Sequence, residues 1–219
     1  MVPELFLTSA PAATTGTALA HPGRPQAIAG LILVGWTLVA GIVVHGHPGP
    51  NGLDRWGFSA LGPSLHSSLL IRITDLGGFA VVAGGSVLAA LVVVGRDRWR
   101  AVACLFGPAL ATALVEWLIK PLVGRRYLEV LTFPSGTVTT VAALATAWVL
   151  AVPGWLRVAV AAAGSVVVVA VIVAVVALRW HYPSDALAGA VFGVGAVLSV
   201  DGILRMVGAK RASGQVRGP

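Results

Sequence analysis

Apolar residues run through this chain in long blocks, separated by short polar or Gly/Pro-rich breaks. The blocks at about 27–45, 73–94, 101–119, 136–152, 158–178 and 186–207 each approach the roughly 20 residues that a helix needs to cross about 30 Å of hydrocarbon. They predict an all-α fold, a polytopic six-helix transmembrane bundle over residues 27–207. Only Pro153-Gly154-Trp155-Leu156-Arg157 separates the fourth block from the fifth, a tight turn with an interfacial Trp that makes the two spans antiparallel neighbours. Residues 1–26 read as a polar Pro/Thr/Ala-rich tail. They carry no basic stretch followed by an apolar core, so they are not read as a cleaved signal peptide. Residues 208–219 read as a basic tail. The break at 46–72 is Gly/Pro-rich, with Phe58, Leu61, Leu65 and Leu69 at roughly helical spacing. It is either a segment lying in the membrane interface or an ordinary connection.

Composition supports the membrane reading. The 219 residues are 57% hydrophobic and 11% charged, with mean hydropathy +0.91, where a soluble domain carries about a quarter charged residues. The net charge of +7 does not point to nucleic acid, because the basic residues are scattered between apolar runs and form no basic face. Six spans put both termini on one side. That side receives Arg24, Arg96, Arg98, Arg100, Arg157, Arg205, Lys210, Arg211 and Arg217, and the other receives Arg55, Arg72, Lys120, Arg125, Arg126 and Arg179. The larger share sets the termini in the cytoplasm by the positive-inside rule. Arginine far outnumbers lysine, and Ala, Val and Gly dominate, which points to a GC-rich bacterial genome and hence to a bacterial plasma membrane. The single cysteine, Cys104, excludes an internal disulfide.

Most of the remaining polar chemistry sits where apolar runs start or stop. Glu116 and Lys120 are four apart at the end of the third run, on one helix face, which allows an ion pair. Ionisable groups at membrane depth face a protein interior, but Lys120 is close enough to the end to snorkel to water, so Glu116 stands equally as a site residue and as a structural partner. Asp201 and Arg205 repeat the spacing and read as structural. Pro134-Ser135-Gly136-Thr137 opens the fourth run. Pro suits a helix start, Ser can cap it and Gly lets an anion approach the backbone, though the same residues also make an ordinary helix start. His181-Tyr182-Pro183-Ser184-Asp185 opens the sixth. A carboxylate four residues from an imidazole can orient it and fix which nitrogen attacks. A histidine beside Trp180 and Tyr182 is also a common interfacial residue. The functional reading gains from the placement of both helix starts, Lys120 and Arg125-Arg126 on one face of the membrane.

In this order Lys120, Arg125-Arg126, Pro134-Ser135-Gly136 and His181-Tyr182-Pro183-Ser184-Asp185-Ala186-Leu187-Ala188-Gly189 resemble the type 2 phosphatidic acid phosphatase superfamily. That superfamily includes bacterial undecaprenyl-diphosphate phosphatases and soluble vanadium haloperoxidases. The resemblance covers roughly 101–207. It implies a phosphatase in which His181 attacks phosphorus to form a phosphohistidine, Asp185 orients its ring, and Lys120, Ser135 and Gly136 hold the phosphoryl oxygens, with no metal and no cofactor. The partners it implies are a phosphorylated lipid and the bilayer. Three positions depart from the family pattern. Tyr127 stands where the first motif has Arg, Ala174-Val175 stand where the third has Ser-Arg, and Thr137 replaces the second-motif His that protonates the leaving oxygen. A threonine hydroxyl cannot supply that proton near neutral pH. Two expectations follow. In one, Arg125, Arg126 and Arg179 replace the missing cations and the substrate is a diphosphate whose leaving group needs no proton. In the other, the chain is a catalytically impaired relative that binds phosphorylated lipid or serves as a partner subunit.

Overall fold

The computed structural model describes residues 23–47, 49–64 and 67–215, with side chains as far as residue 211. The expected N-terminal tail falls outside the described residues up to residue 22, and its last residues are already helical. Helix α1 (Arg24–Gly46) is followed by a short α2 (Gly52–Leu61), α3 (Ser68–Thr74) and α4 (Phe79–Val93). Helix α5 (Arg98–Leu114) runs through a π turn, Val115–Ile119, into the single turn α6 (Lys120–Val123). A two-residue hairpin, β1 (Arg126–Tyr127) with β2 (Val130–Leu131), precedes α7 (Gly136–Ala151), α8 (Arg157–Ala177) and α9 (Pro183–Gln215). The expected basic tail therefore begins as a continuation of α9, and residues 216–219 lie outside the described residues.

The fold is all-α apart from that hairpin, and five of the six expected spans coincide with a continuous helix, while the block at 73–94 covers the end of α3, the 75–77 turn and α4. Length separates them, however. Arg24–Gly46, Arg98–Val123, Gly154–Ala177 and Pro183–Arg211 are long and apolar enough to cross a membrane. The pair Ser68–Gly77 and Phe79–Val93, bent by 44°, makes a fifth span if it is counted as one. The remaining expected span, α7, has 16 residues and at 1.5 Å per residue measures only about 24 Å, so six full-length spans are not what the structure gives. Its surroundings explain why α7 can be short. Most of its residues, from Gly136 through Ala151, are buried against neighbouring helices, so its length is matched to protein and not to lipid.

Helix α9 forms the axis. Gly189 and Gly193 lie so close to α7 that a β-carbon on either would collide with the backbone of Ser135 or Thr139. Further along, Gly195 and Gly202 meet α1 at Gly30 and Ala27 in the same way. Small residues at such crossings let helices approach where no hydrophobic effect drives them together. Thr112 on α5 and Thr140 on α7 share a 2.7 Å hydrogen bond, and Phe133, Val115, Ala143, Phe192 and Val197 fill the space between. The outer faces of α1 and α8 carry exposed Leu31, Ile32, Trp36, Ile42, Val158, Val166 and Val169, the pattern of a lipid-facing surface.

At the end of the bundle remote from the two helix-start motifs, the expected Asp201–Arg205 pair is not the pair that forms. Asp201 takes Arg100 at 3.1 Å and Arg205 takes Asp97 at 3.0 Å. Both contacts join α9 to α5 or its cap, so charge is spent on holding two helices together and not on one helix's own turn.

Candidate functional site

The site begins at the π turn. Pro121 has no N–H to give, and its ring crowds the carbonyl one turn back. The turn before it is widened, and Lys120 N–H reaches Val115 O, a five-residue step. On this widened turn Lys120 Nζ sits 2.7 and 2.9 Å from the two Glu116 oxygens. The lysine side chain is 11% exposed and the glutamate side chain 40%.

Both groups face the start of α7. Ser135 is the N-cap, with extended backbone, and its hydroxyl is fully buried without a hydrogen-bond partner. The next residue is Gly136, where a β-carbon would collide with Glu116 Oε1 and lie 3.6 Å from Lys120 Nζ. Only glycine admits the carboxylate this close to the helix N-terminus, where unpaired backbone N–H groups and the helix dipole favour negative charge. The α7 start is tied to the α9 start by Ser135 N–H donating to Asp185 O at 2.9 Å.

His181 precedes α9 and is 9% exposed. Its Nδ1 lies 3.1 Å from Thr132 O. A carbonyl can only accept, so Nδ1 carries the proton and Nε2 keeps the lone pair. Burial pushes the His181 pKa down to about 4, and the positive charge of Lys120 adds to this against the opposing Thr132 hydrogen bond. The ring is therefore neutral at physiological pH.

The orienting group is thus the Thr132 carbonyl and not the expected Asp185. Asp185 spends its carboxylate on Arg125, at 2.5 Å. Arg125 is buried and also donates to Asp54 at 2.7 Å, Ser184 Oγ at 2.8 Å and Gly49 O at 3.1 Å, with its guanidinium 4.2 Å from the Tyr182 ring centroid. Arg125 is therefore a structural tie and not a phosphate clamp. Its backbone carbonyl accepts from Thr132 N–H at 3.0 Å, so the arginine that anchors α9 also fixes the carbonyl that orients His181.

Asp54 comes from α2, the part of the 46–72 break whose role was open. Asn51 and Asp54 cap this helix reciprocally, side chain to backbone N–H, at 2.9 and 3.0 Å. Asp54 Oδ1 in addition accepts from Ser184 N–H at 2.9 Å. Burial works against its ionisation, but hydrogen bonds from Ser184, Arg125 and Asn51 outweigh it and hold the carboxyl below the usual carboxylate range. Gly57 lies against Pro183 so closely that a β-carbon would meet Pro183 Cγ at 2.6 Å. Helix α2 is therefore a built part of the site.

The side chains of the other expected site residues make contacts of their own, with α2, the hairpin and the 75–77 turn. Arg179 has φ 59, a strained conformation for a side-chain-bearing residue. Its guanidinium donates to Phe58 O at 2.9 Å and sits 4.0 Å from the Phe58 ring centroid, on α2. Arg126 is exposed and donates to Glu129 O across the hairpin at 2.9 Å. Thr137 packs its Cγ2 on Gly77, where a β-carbon would be 2.9 Å away, and so leans on the 75–77 turn. Lys120, Glu116, Ser135 and Gly136 meet at the start of α7, Thr132 O holds His181, on which the charge of Lys120 acts, and Asp185, Arg125 and Arg179 make scaffold contacts.

A neutral imidazole whose Nε2 keeps its lone pair, an ammonium, a helix N-terminus and a buried hydroxyl are groups of the kinds that can serve as a nucleophile and as donors to an anion. Among the described residues no three His, Cys, Asp or Glu side chains gather in a form that could hold a metal ion. No family model, curated protein or solved structure matches the chain.

Proposed function

We propose that this protein is a membrane phosphatase of the type 2 phosphatidic acid phosphatase superfamily. It removes phosphate from a lipid phosphate or polyprenyl diphosphate through a phosphohistidine at His181. The reading takes six spans, with α7 crossing as a short helix inside the bundle, cytoplasmic termini, and the site facing outward across a bacterial plasma membrane. The observation that carries it is the neutral, buried His181, its Nδ1 proton held by Thr132 O and Lys120 close enough to depress its pKa. Nε2 attacks phosphorus in line with the leaving oxygen. Lys120, the Ser135 hydroxyl and the first N–H groups of α7 take the charge that builds on the phosphoryl oxygens. The exposed apolar side chains at this end of the fold, Trp56, Trp117, Leu122, Leu128 and Trp180, suit a mouth lying at the membrane surface, where a lipid headgroup arrives.

A second reading is favoured by one observation. Arg125 and Arg179, expected to replace missing cations, are committed to α2 and α9, which leaves fewer charges for the transition state and suits a member that binds phosphorylated lipid without turnover. Phosphate release from polyprenyl diphosphate and from phosphatidic acid, by purified wild type and by His181→Ala, separates the two. Release by wild type that His181→Ala abolishes supports the enzyme. Lipid binding without release supports the second reading, and equal release by both proteins removes His181 as nucleophile.

A further inference from the structure

We infer that Glu116 is the general base that activates water for hydrolysis of the phosphohistidine, an assignment that rests on the phosphatase reading above. Cleaving a phosphohistidine needs a group that removes a proton from the attacking water. Thr137, at the position of the family's proton-transfer residue, has no basicity for the task and packs on Gly77. Of the other carboxylates at this end of the fold, Asp54 and Asp185 are fully buried on Arg125, while Asp75, in the 75–77 turn, and Glu129, in the hairpin, are exposed. Glu116 combines three features. Its side chain is 40% exposed, so water reaches it. Its oxygens are held by Lys120, which also acts on His181. Its Oε1 rests directly against Gly136, at the helix start where the phosphoryl group is expected to sit. The second step, in which water attacks, is the one that calls for a proton acceptor beside the phosphoryl group.

The step balances as follows. A water proton passes to Glu116 as the water oxygen bonds to phosphorus. The phosphorus–Nε2 bond breaks, its electron pair returns to the His181 ring, inorganic phosphate departs, and the proton on Glu116 is lost to solvent. The first step runs without an acid when the leaving group is a phosphate, as in a diphosphate substrate.

The test is a quench under alkaline conditions, which preserve phosphohistidine, after mixing wild type or Glu116→Gln with a polyprenyl diphosphate carrying radiolabel in its terminal phosphate. In Glu116→Gln the labelling burst is expected to persist while steady release falls by about 10² to 10⁴, so labelled protein accumulates. Hydroxylamine, which attacks as a neutral nucleophile, is expected to discharge the label from the variant at close to the wild-type rate. Glu116→Asp, one methylene shorter, is expected to fall between the two and guards against a folding defect confined to Gln. Release by Glu116→Gln equal to or faster than wild type overturns the inference and makes the carboxylate a mere occupant of the seat, with the phosphatase reading intact. Loss of labelling in Glu116→Gln, with wild type still labelled, also overturns it by placing Glu116 before the first chemical step. A wild type that neither labels nor releases phosphate overturns both.

Discussion

Arg125→Met removes the single guanidinium that lies between two carboxylates, Asp54 and Asp185, each fully buried. Methionine keeps much of the side-chain volume and none of the charge. Removing one partner of a buried ion pair costs about 3–5 kcal/mol, because the other charge remains without compensation, and here two carboxylates are stranded at once. For a chain of this size each kcal/mol moves the midpoint by about 2–4 °C, so thermal unfolding in detergent is expected to fall by about 6–20 °C. Asp54→Asn in the Arg125→Met background should recover part of the loss, since it removes one stranded charge and leaves an amide oxygen to accept from Ser184 N–H. If Arg125 were instead a phosphate ligand open to the pocket, Arg125→Met would weaken phosphate binding with little change in the melting temperature. A fall smaller than about 3 °C would refute the buried-tie argument.

His181 gives a pH prediction with a definite sign. Its ordinary pKa is 6.5 and burial lowers it to about 4, so the unfolded chain takes the proton first as pH falls. The stability contributed by keeping this ring neutral is complete above about pH 6.5 and is lost between there and about pH 4, in all about 3 kcal/mol at 1.36 kcal/mol per pH unit. Melting temperature against pH should therefore slope more steeply across that window for wild type than for His181→Gln, and parallel curves would contradict it. Gly136→Ala places a methyl group where Glu116 Oε1 sits and is expected to reduce phosphate release at least tenfold in a folded protein. Near-wild-type release would show that the seat tolerates more than the geometry allows. Thr137→His, which would restore a proton donor if Thr137 faced the pocket, is expected to lower the melting temperature by several degrees without raising turnover of a monophosphate substrate. Thr137 packs on the 75–77 turn, and a gain in turnover would show that its side chain can face the phosphate.

Much of the helical framework was legible because hydropathy alone marks it. The run ending near residue 45, the tight Pro153-Gly154 turn and the long final helix all fall where the apolar blocks place them. His181, Lys120, Ser135 and Gly136 were legible as residue types at helix ends. The role of Arg125 was not. Beside Arg126 it reads as half of a cationic pair, yet its partners Asp54 and Asp185 stand 71 and 60 positions away. The orienting carbonyl of Thr132 was invisible for a different reason, since every residue has a carbonyl and only folding selects one. Asn51 and Asp54 did carry a signal, the spacing of a capping box, which fixes α2 locally but does not show that the same carboxylate would also reach α9.

The widened turn at Val115–Ile119 bears on how motif spacing can be read in this chain. One extra residue in a helix carries everything after it about 100° further round the axis, so the direction in which Lys120 points depends on that added residue as much as on lysine itself. Shortening this segment by a single position would leave hydropathy, net charge and each separate motif unchanged, and yet swing the ammonium away from α7. Counting intervals between polar residues across such a segment therefore measures chain length and not bearing.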